Sequence, residues 1–96
     1  MTYSVYILSN ATNTTVYIGV TNDLVRRVWE HKNNVDPKSF TARHSVHKLV
    51  YFETTLSIEA AIAREKQLKD WNRARKNKLV NAANPEWVDL YPGILE

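Results

Sequence analysis

Residues 17–31 read YIGVTNDLVRRVWEH, and the fold turns on how this stretch divides. Its first residues belong to a β-branched and aromatic run, Val16-Tyr17-Ile18-Gly19-Val20, with the composition of a strand. The rest has helical spacing: Leu24, Val25, Val28 and Trp29 share one face, and Arg26 and Glu30 lie roughly opposite. The polar step between them starts the helix, with Thr21 or Asn22 as cap and Asp23 favouring its positive end. Arg27 and His31, one turn apart, sit on the margin of the apolar stripe, close to Leu24. They are therefore expected to be side by side and partly shielded.

Upstream, residues 3–8 (YSVYIL) read as a first strand. The connection from Asn10 to Thr15 is polar and short, which implies an antiparallel hairpin and brings Tyr6 and Tyr17 near each other. Downstream, residues 33–47 are polar and interrupted by Pro37, so a loop is expected there, carrying Lys38, Arg43, His44 and His47. Residues 48–53 (KLVYFE) form a third strand. Ser57 caps a second helix that runs to about Trp71. A third, basic helix covers about Arg73 to Ala83 and ends at Asn84-Pro85, because proline disfavours helix in the residue before it. The tail from Glu86 carries Trp87, Leu90 and Tyr91 and is expected to pack back on the domain. The order β-β-α-β-α-α, in one domain over residues 1–96, predicts a small antiparallel sheet with helices against it, an α/β (α+β) layered domain.

The 96 residues allow one domain with a modest core, and 44% apolar residues argue against disorder. With no cysteine there is neither a disulfide framework nor a cysteine zinc site. No apolar run approaches the roughly 18 residues that span a bilayer. The N-terminus MTYSVYILSN lacks the positive region of a signal peptide. The expected compartment is the cytoplasm, with no membrane partner. Net charge is +3 and unevenly spread: Lys66, Lys69, Arg73, Arg75, Lys76 and Lys78 face a single acid, Asp70, within residues 66–78. Such a segment is either a solvated helix face or a surface for a polyanion.

Glu65 is the most informative position. Ile58, Ala61, Ile62 and Leu68 form the apolar stripe of the second helix, and Glu65 falls in its middle. A carboxylate there needs a partner: an ion pair with Arg27 or Lys69, or a metal ion. The two tyrosines are either packing residues or phenols aimed at a phosphate. A phenol works as a base only with a cation nearby to lower its ordinary pKa of about 10. Together these residues supply a carboxylate for a metal, an arginine for phosphate charge and a His-Tyr pair for proton transfer. Magnesium suits so sparse a carboxylate set, since waters and phosphate oxygens complete its octahedron. A binding module without turnover and a purely structural Glu65–Arg27 pair are the competing readings.

At this point the sequence resembles the GIY-YIG nuclease family, and in particular its short, single-domain bacterial members, over about residues 2–90. The resemblance lies in Ser4-Val5-Tyr6, Tyr17-Ile18-Gly19, Arg27 with His31 four residues on, and Glu65 within Ala63-Arg64-Glu65-Lys66-Gln67. It implies a three-stranded antiparallel sheet flanked by helices. It also implies catalytic roles for Tyr6, Tyr17, Arg27, His31 and Glu65, with Gly19 keeping the site clear. In the implied chemistry a metal-dependent endonuclease hydrolyses DNA phosphodiesters with one Mg2+ or Mn2+ ion held by Glu65. Tyr6 is the preferred general base, His31 assists, and the two tyrosines' roles are exchangeable. Lys38, Arg43, Lys66, Lys69, Arg73, Arg75, Lys76 and Lys78 would grip the nucleic-acid backbone without reading sequence. Branched or flapped DNA is the expected substrate, in repair or recombination, and a protein partner is expected to assist so small a chain. Two departures stand out. Ser4-Val5 replaces Gly-Ile, and the asparagine that several members carry near the end would fall near Val88, with Asn81 and Asn84 close by.

Overall fold

Val5-Tyr6-Ile7-Leu8 is apolar at every position because the strand that holds it is covered on both faces. In the computed structural model, which describes all 96 residues, this is the middle strand β1 (Tyr3–Ser9). It pairs antiparallel with β2 (Val16–Thr21) on one side and β3 (Lys48–Thr55) on the other. Helices α1 (Leu24–Lys32), α3 (Ile58–Asp70) and α4 (Arg73–Ala83) stand where the sequence places them. Two four-residue helices are additional: α2 (Phe40–Arg43), inside the stretch expected to be loop, and α5 (Tyr91–Ile94), in the tail. No helix is long and apolar enough to cross a membrane.

Alternation along β1 divides the core in two. Val5 and Ile7 pack with Ile18, Val50, Ala61, Leu68, Val80 and Trp87, on the side of α3 and α4. Tyr6 and Leu8 pack with Val28, Val46 and Leu49, under α1 and α5. A bulge opposite Ile7 and Leu8 turns both Val50 and Tyr51 toward the α3 side, while Leu49 and Phe52 face α1. The register pairs Tyr6 with Gly19 and Leu8 with Tyr17, so both tyrosines face the α1 side as diagonal neighbours.

The expected tail packing is observed. Trp87 enters the α3-side core, and the Leu90 N–H donates to the Leu49 carbonyl at 2.7 Å. Asn84 is buried; its amide donates to the carbonyls of Val50 (3.0 Å) and Val88 (2.9 Å). Asn81 accepts from the Trp87 indole. Both asparagines near the chain end are thus engaged in holding the tail.

Three local expectations are corrected. The cap of α1 is Asp23, which accepts from the Arg26 N–H at 3.2 Å, while Thr21 accepts from the Asp23 N–H at 3.0 Å. On α1, Val28 and His31 are the buried residues, whereas Trp29 is 50% exposed and Val25 39%. On α3, Ala61 and Leu68 are buried, but Ile58 and Ile62 face solvent. A sheet of three strands is only about 10 Å between its outer strands, so each helix finds cover for one narrow line of side chains.

Candidate active site

The site forms around the Tyr6 hydroxyl. β1 fixes the ring from below, and Gly19, its cross-strand partner on β2, provides the space it fills. A Cβ at Gly19 would lie 2.5 Å from Tyr6 Cζ and would clash as closely with the hydroxyl oxygen. Glycine is therefore required here for close approach, with no contribution from an unusual φ. Tyr17 stands beside Tyr6, with ring centroids 6.5 Å apart. Gly19→Ala is expected to cost about 1–3 kcal/mol through overpacking and to push the Tyr6 hydroxyl out of place. Urea denaturation measures the first effect; an unchanged midpoint would show that the ring moves aside freely.

His31 reaches the same point from α1. Its Nε2 lies 3.0 Å from the Tyr6 hydroxyl and its Nδ1 lies 2.9 Å from Thr41 Oγ1. Burial, with the neighbouring Arg27 charge adding to it, lowers the His31 pKa to about 4. The imidazole is therefore neutral at pH 7. Burial, with Tyr17 adding to it, raises the Tyr6 pKa, against which Arg27 acts to lower it. The phenol thus keeps its proton and donates to Nε2, which leaves Nδ1–H to donate to Thr41. Ser39 Oγ, itself the α2 cap, lies 3.2 Å from Thr41 Oγ1.

The depressed histidine predicts a pH dependence of stability. An unfolded histidine titrates near 6.5, so between pH 6.5 and 4 the unfolded chain binds a proton that the folded one does not. The stabilisation is complete above pH 6.5 and is lost on acidification toward 4. For a pKa lowered from 6.5 to about 4 it amounts to about 3 kcal/mol. Urea titrations across that range should show the loss in the wild type and much less of it in His31→Gln. Equal slopes for the two proteins would refute a buried neutral histidine.

Arg27 points along the margin of α1, as expected, and its ion pair is with Glu30 at 3.1 Å. It is close enough to Tyr6 to lower the phenol's pKa. Glu65 comes from α3, on the other side of the sheet, and pairs with Lys69 at 3.5 Å. Of the partners considered for it, Lys69 is the one the fold supplies. Its carboxylate is still near enough to raise the Tyr6 pKa, so Tyr6 senses Arg27, His31, Tyr17 and Glu65 together.

No three His, Cys, Asp or Glu side chains gather anywhere in the chain. Glu65 is one half-buried hard-oxygen donor whose lysine partner is half exposed and free to swing away. That donor set suits an ion that takes most of its ligands from water and substrate phosphate, and does not suit zinc.

The basic residues divide by role. Arg73 is turned inward: its guanidinium donates to the Asn13 (2.5 Å) and Thr14 (2.9 Å) carbonyls, pinning the β1–β2 turn, and lies over the Trp87 ring. Arg75 stacks on Trp71 at 4.1 Å. Lys66, Lys69 and Lys78 are exposed, and Lys76 and Lys69 rim a groove beside Tyr17. Lys38 and Arg43 are exposed on the α1 side. Thr41 is the residue that sequence reasoning missed. It lies in a polar stretch without periodicity, and only the Ser39 cap signals the short helix that turns its hydroxyl toward His31.

The GIY-YIG catalytic-domain model matches residues 2–79. Among related chains, a UPF0213 protein of Desulfotalea psychrophila is 32% identical, over 91% of this chain and 78% of that one. One of Natronomonas pharaonis is 41% identical, over 79% and 87%. The solution NMR structure of a UPF0213 protein from Bacillus halodurans superposes with a TM-score of 0.59 at 27% identity, covering 93% of both chains.

Proposed function

The chain belongs to the GIY-YIG family of nucleases, and on that premise we propose that it is a divalent-metal-dependent endonuclease of DNA. It selects branched or flapped DNA by structure more than by sequence, serves repair or recombination, and works with a protein partner. The observation that carries this reading is the Tyr6 hydroxyl, which is bonded to a neutral His31 and lies within the influence of both Arg27 and Glu65. A module that only binds nucleic acid would need the basic surface and would have no use for the Tyr6–His31–Thr41 chain.

In this reading Tyr6 takes a proton from the attacking water as its own passes to His31 Nε2. Tyr6 is therefore never a free phenolate at rest, which its raised pKa would forbid. Thr41 holds the imidazole in the tautomer that can accept. Tyr17, less buried than Tyr6, orients the phosphate or the water. Arg27 leaves Glu30 to meet the charge that develops on the phosphate. Glu65 would hold one Mg2+ or Mn2+, which when bound supplies positive charge for the leaving 3′ oxygen. Lys66, Lys69, Lys76 and Lys78 hold the backbone on one side, with Lys38 and Arg43 on the other.

The test is a panel of labelled substrates (single strand, duplex, flap, junction and RNA), each with chelator, Mg2+ or Mn2+. Metal-dependent cleavage concentrated on flap or junction DNA is the expected result. Binding without cleavage under every metal condition would overturn the reading in favour of a binding module.

A further inference from the structure

A groove runs along the outer edge of β2, lined by Val16, Tyr17, Ile18 and Phe40 and rimmed by Lys69 and Lys76. Its volume of about 320 Å3 is at the small end of the roughly 300–1,000 Å3 of ligand sites. Phe40 is the notable residue. It is a large apolar side chain left 40% exposed on a helix of only four residues. Its ring stacks on Tyr17 (centroids 6.1 Å apart, planes at 26°) and against His44 (4.3 Å, 37°). The result is a row of three rings at the sheet edge with two ammonium groups across from it.

An aromatic face beside cations is the chemistry that receives a nucleotide: the ring stacks on the base and the ammonium meets the phosphate. The groove also abuts the candidate active site from both sides of the sheet. Tyr17 is shared between them, its ring 5.5 Å from that of His31, and Lys69 is the ion-pair partner of Glu65. A duplex keeps its base faces stacked internally, so an occupant that stacks here is unpaired.

We infer that Phe40, with Tyr17 beneath it and the exposed His44 side chain swinging aside, is a stacking platform for one unpaired nucleotide of the substrate strand, next to the phosphate to be cut. This rests on the nuclease reading and adds to it the residue that makes a flap preferable to an unbroken duplex.

The experiment measures binding of the full chain, in chelator, to an oligothymidylate and to an all-abasic oligonucleotide of equal length and charge. Fluorescence anisotropy gives both affinities. Stacking of this kind predicts roughly 5- to 150-fold tighter binding to the oligothymidylate. Phe40→Ala should close that gap by weakening oligothymidylate binding alone, and Phe40→Trp should keep it. Equal wild-type affinities for the two strands, or a full gap in Phe40→Ala, would overturn the inference. Should Phe40→Ala fail to fold by circular dichroism, the wild-type comparison decides, because a wild type blind to the bases has no platform. Cleavage is read separately, with metal. A gap without cleavage would sink the nuclease reading and spare the platform; cleavage without a gap would do the reverse.

Discussion

Glu65→Ala should abolish metal-dependent cleavage while DNA binding in chelator stays at or slightly above the wild-type level. The two halves have different causes. Cleavage is lost because Glu65 is the carboxylate that acts on the Tyr6 hydroxyl, and in the proposed reaction it is the protein's ligand for the metal. Binding survives because the substitution frees Lys69, now paired with Glu65 at 3.5 Å, to face phosphate. Folding should be little affected, since Lys69 is half exposed and such pairs contribute about 0.2–1 kcal/mol. Single-turnover cleavage, anisotropy and urea denaturation measure the three quantities. Cleavage persisting in the purified variant would remove Glu65 from the metal role. Loss of cleavage together with a large loss of stability would make it a structural residue.

Arg27→Ala should reduce the cleavage rate by about 10²–10³, the cost of removing one oriented charge stabiliser, roughly 2.7–4 kcal/mol. It should also move a second observable. The Arg27 charge helps hold the His31 pKa near 4 and pulls the Tyr6 pKa down. Without it the histidine pKa should rise toward 6.5, and the acid limb of the rate profile should follow. A variant that lost only the phosphate contact would slow without that displacement. Arg27→Lys should recover part of the histidine effect and less of the rate, because an ammonium lacks the guanidinium's paired donors. A rate within a few-fold of wild type in Arg27→Ala would refute the assignment.

Much of this arrangement is legible in the sequence because its determinants are local. The β-branched runs, the six-residue polar turn and the caps at Ser57 and Asn84-Pro85 announce the sheet and its main helices. Gly19 is legible as a position that must stay clear, and the register sets it opposite Tyr6, whose ring occupies the space a side chain would take. What is not legible depends on distant partners. Trp29 and Val25 look like core residues on a helical wheel, yet the space over β1 is taken by α5 residues from the far end of the chain. Thr41 and Phe40 belong to a segment with no period, and their neighbours, His31 and Tyr17, come from elements that only the fold brings to them. Arg73 counts toward the basic run in sequence, but its guanidinium is engaged with the turn carbonyls.

The C-terminal tail sets a boundary that the family match does not. That match ends at residue 79, yet the Val50 carbonyl is satisfied by Asn84, the Leu49 carbonyl by Leu90, and part of the α3-side core by Trp87. The strand completing the sheet thus draws hydrogen bonds from residues outside the family model's match. The cooperative unit of this protein is longer than the segment the family model matches, and the last seventeen residues are not free to be absent here.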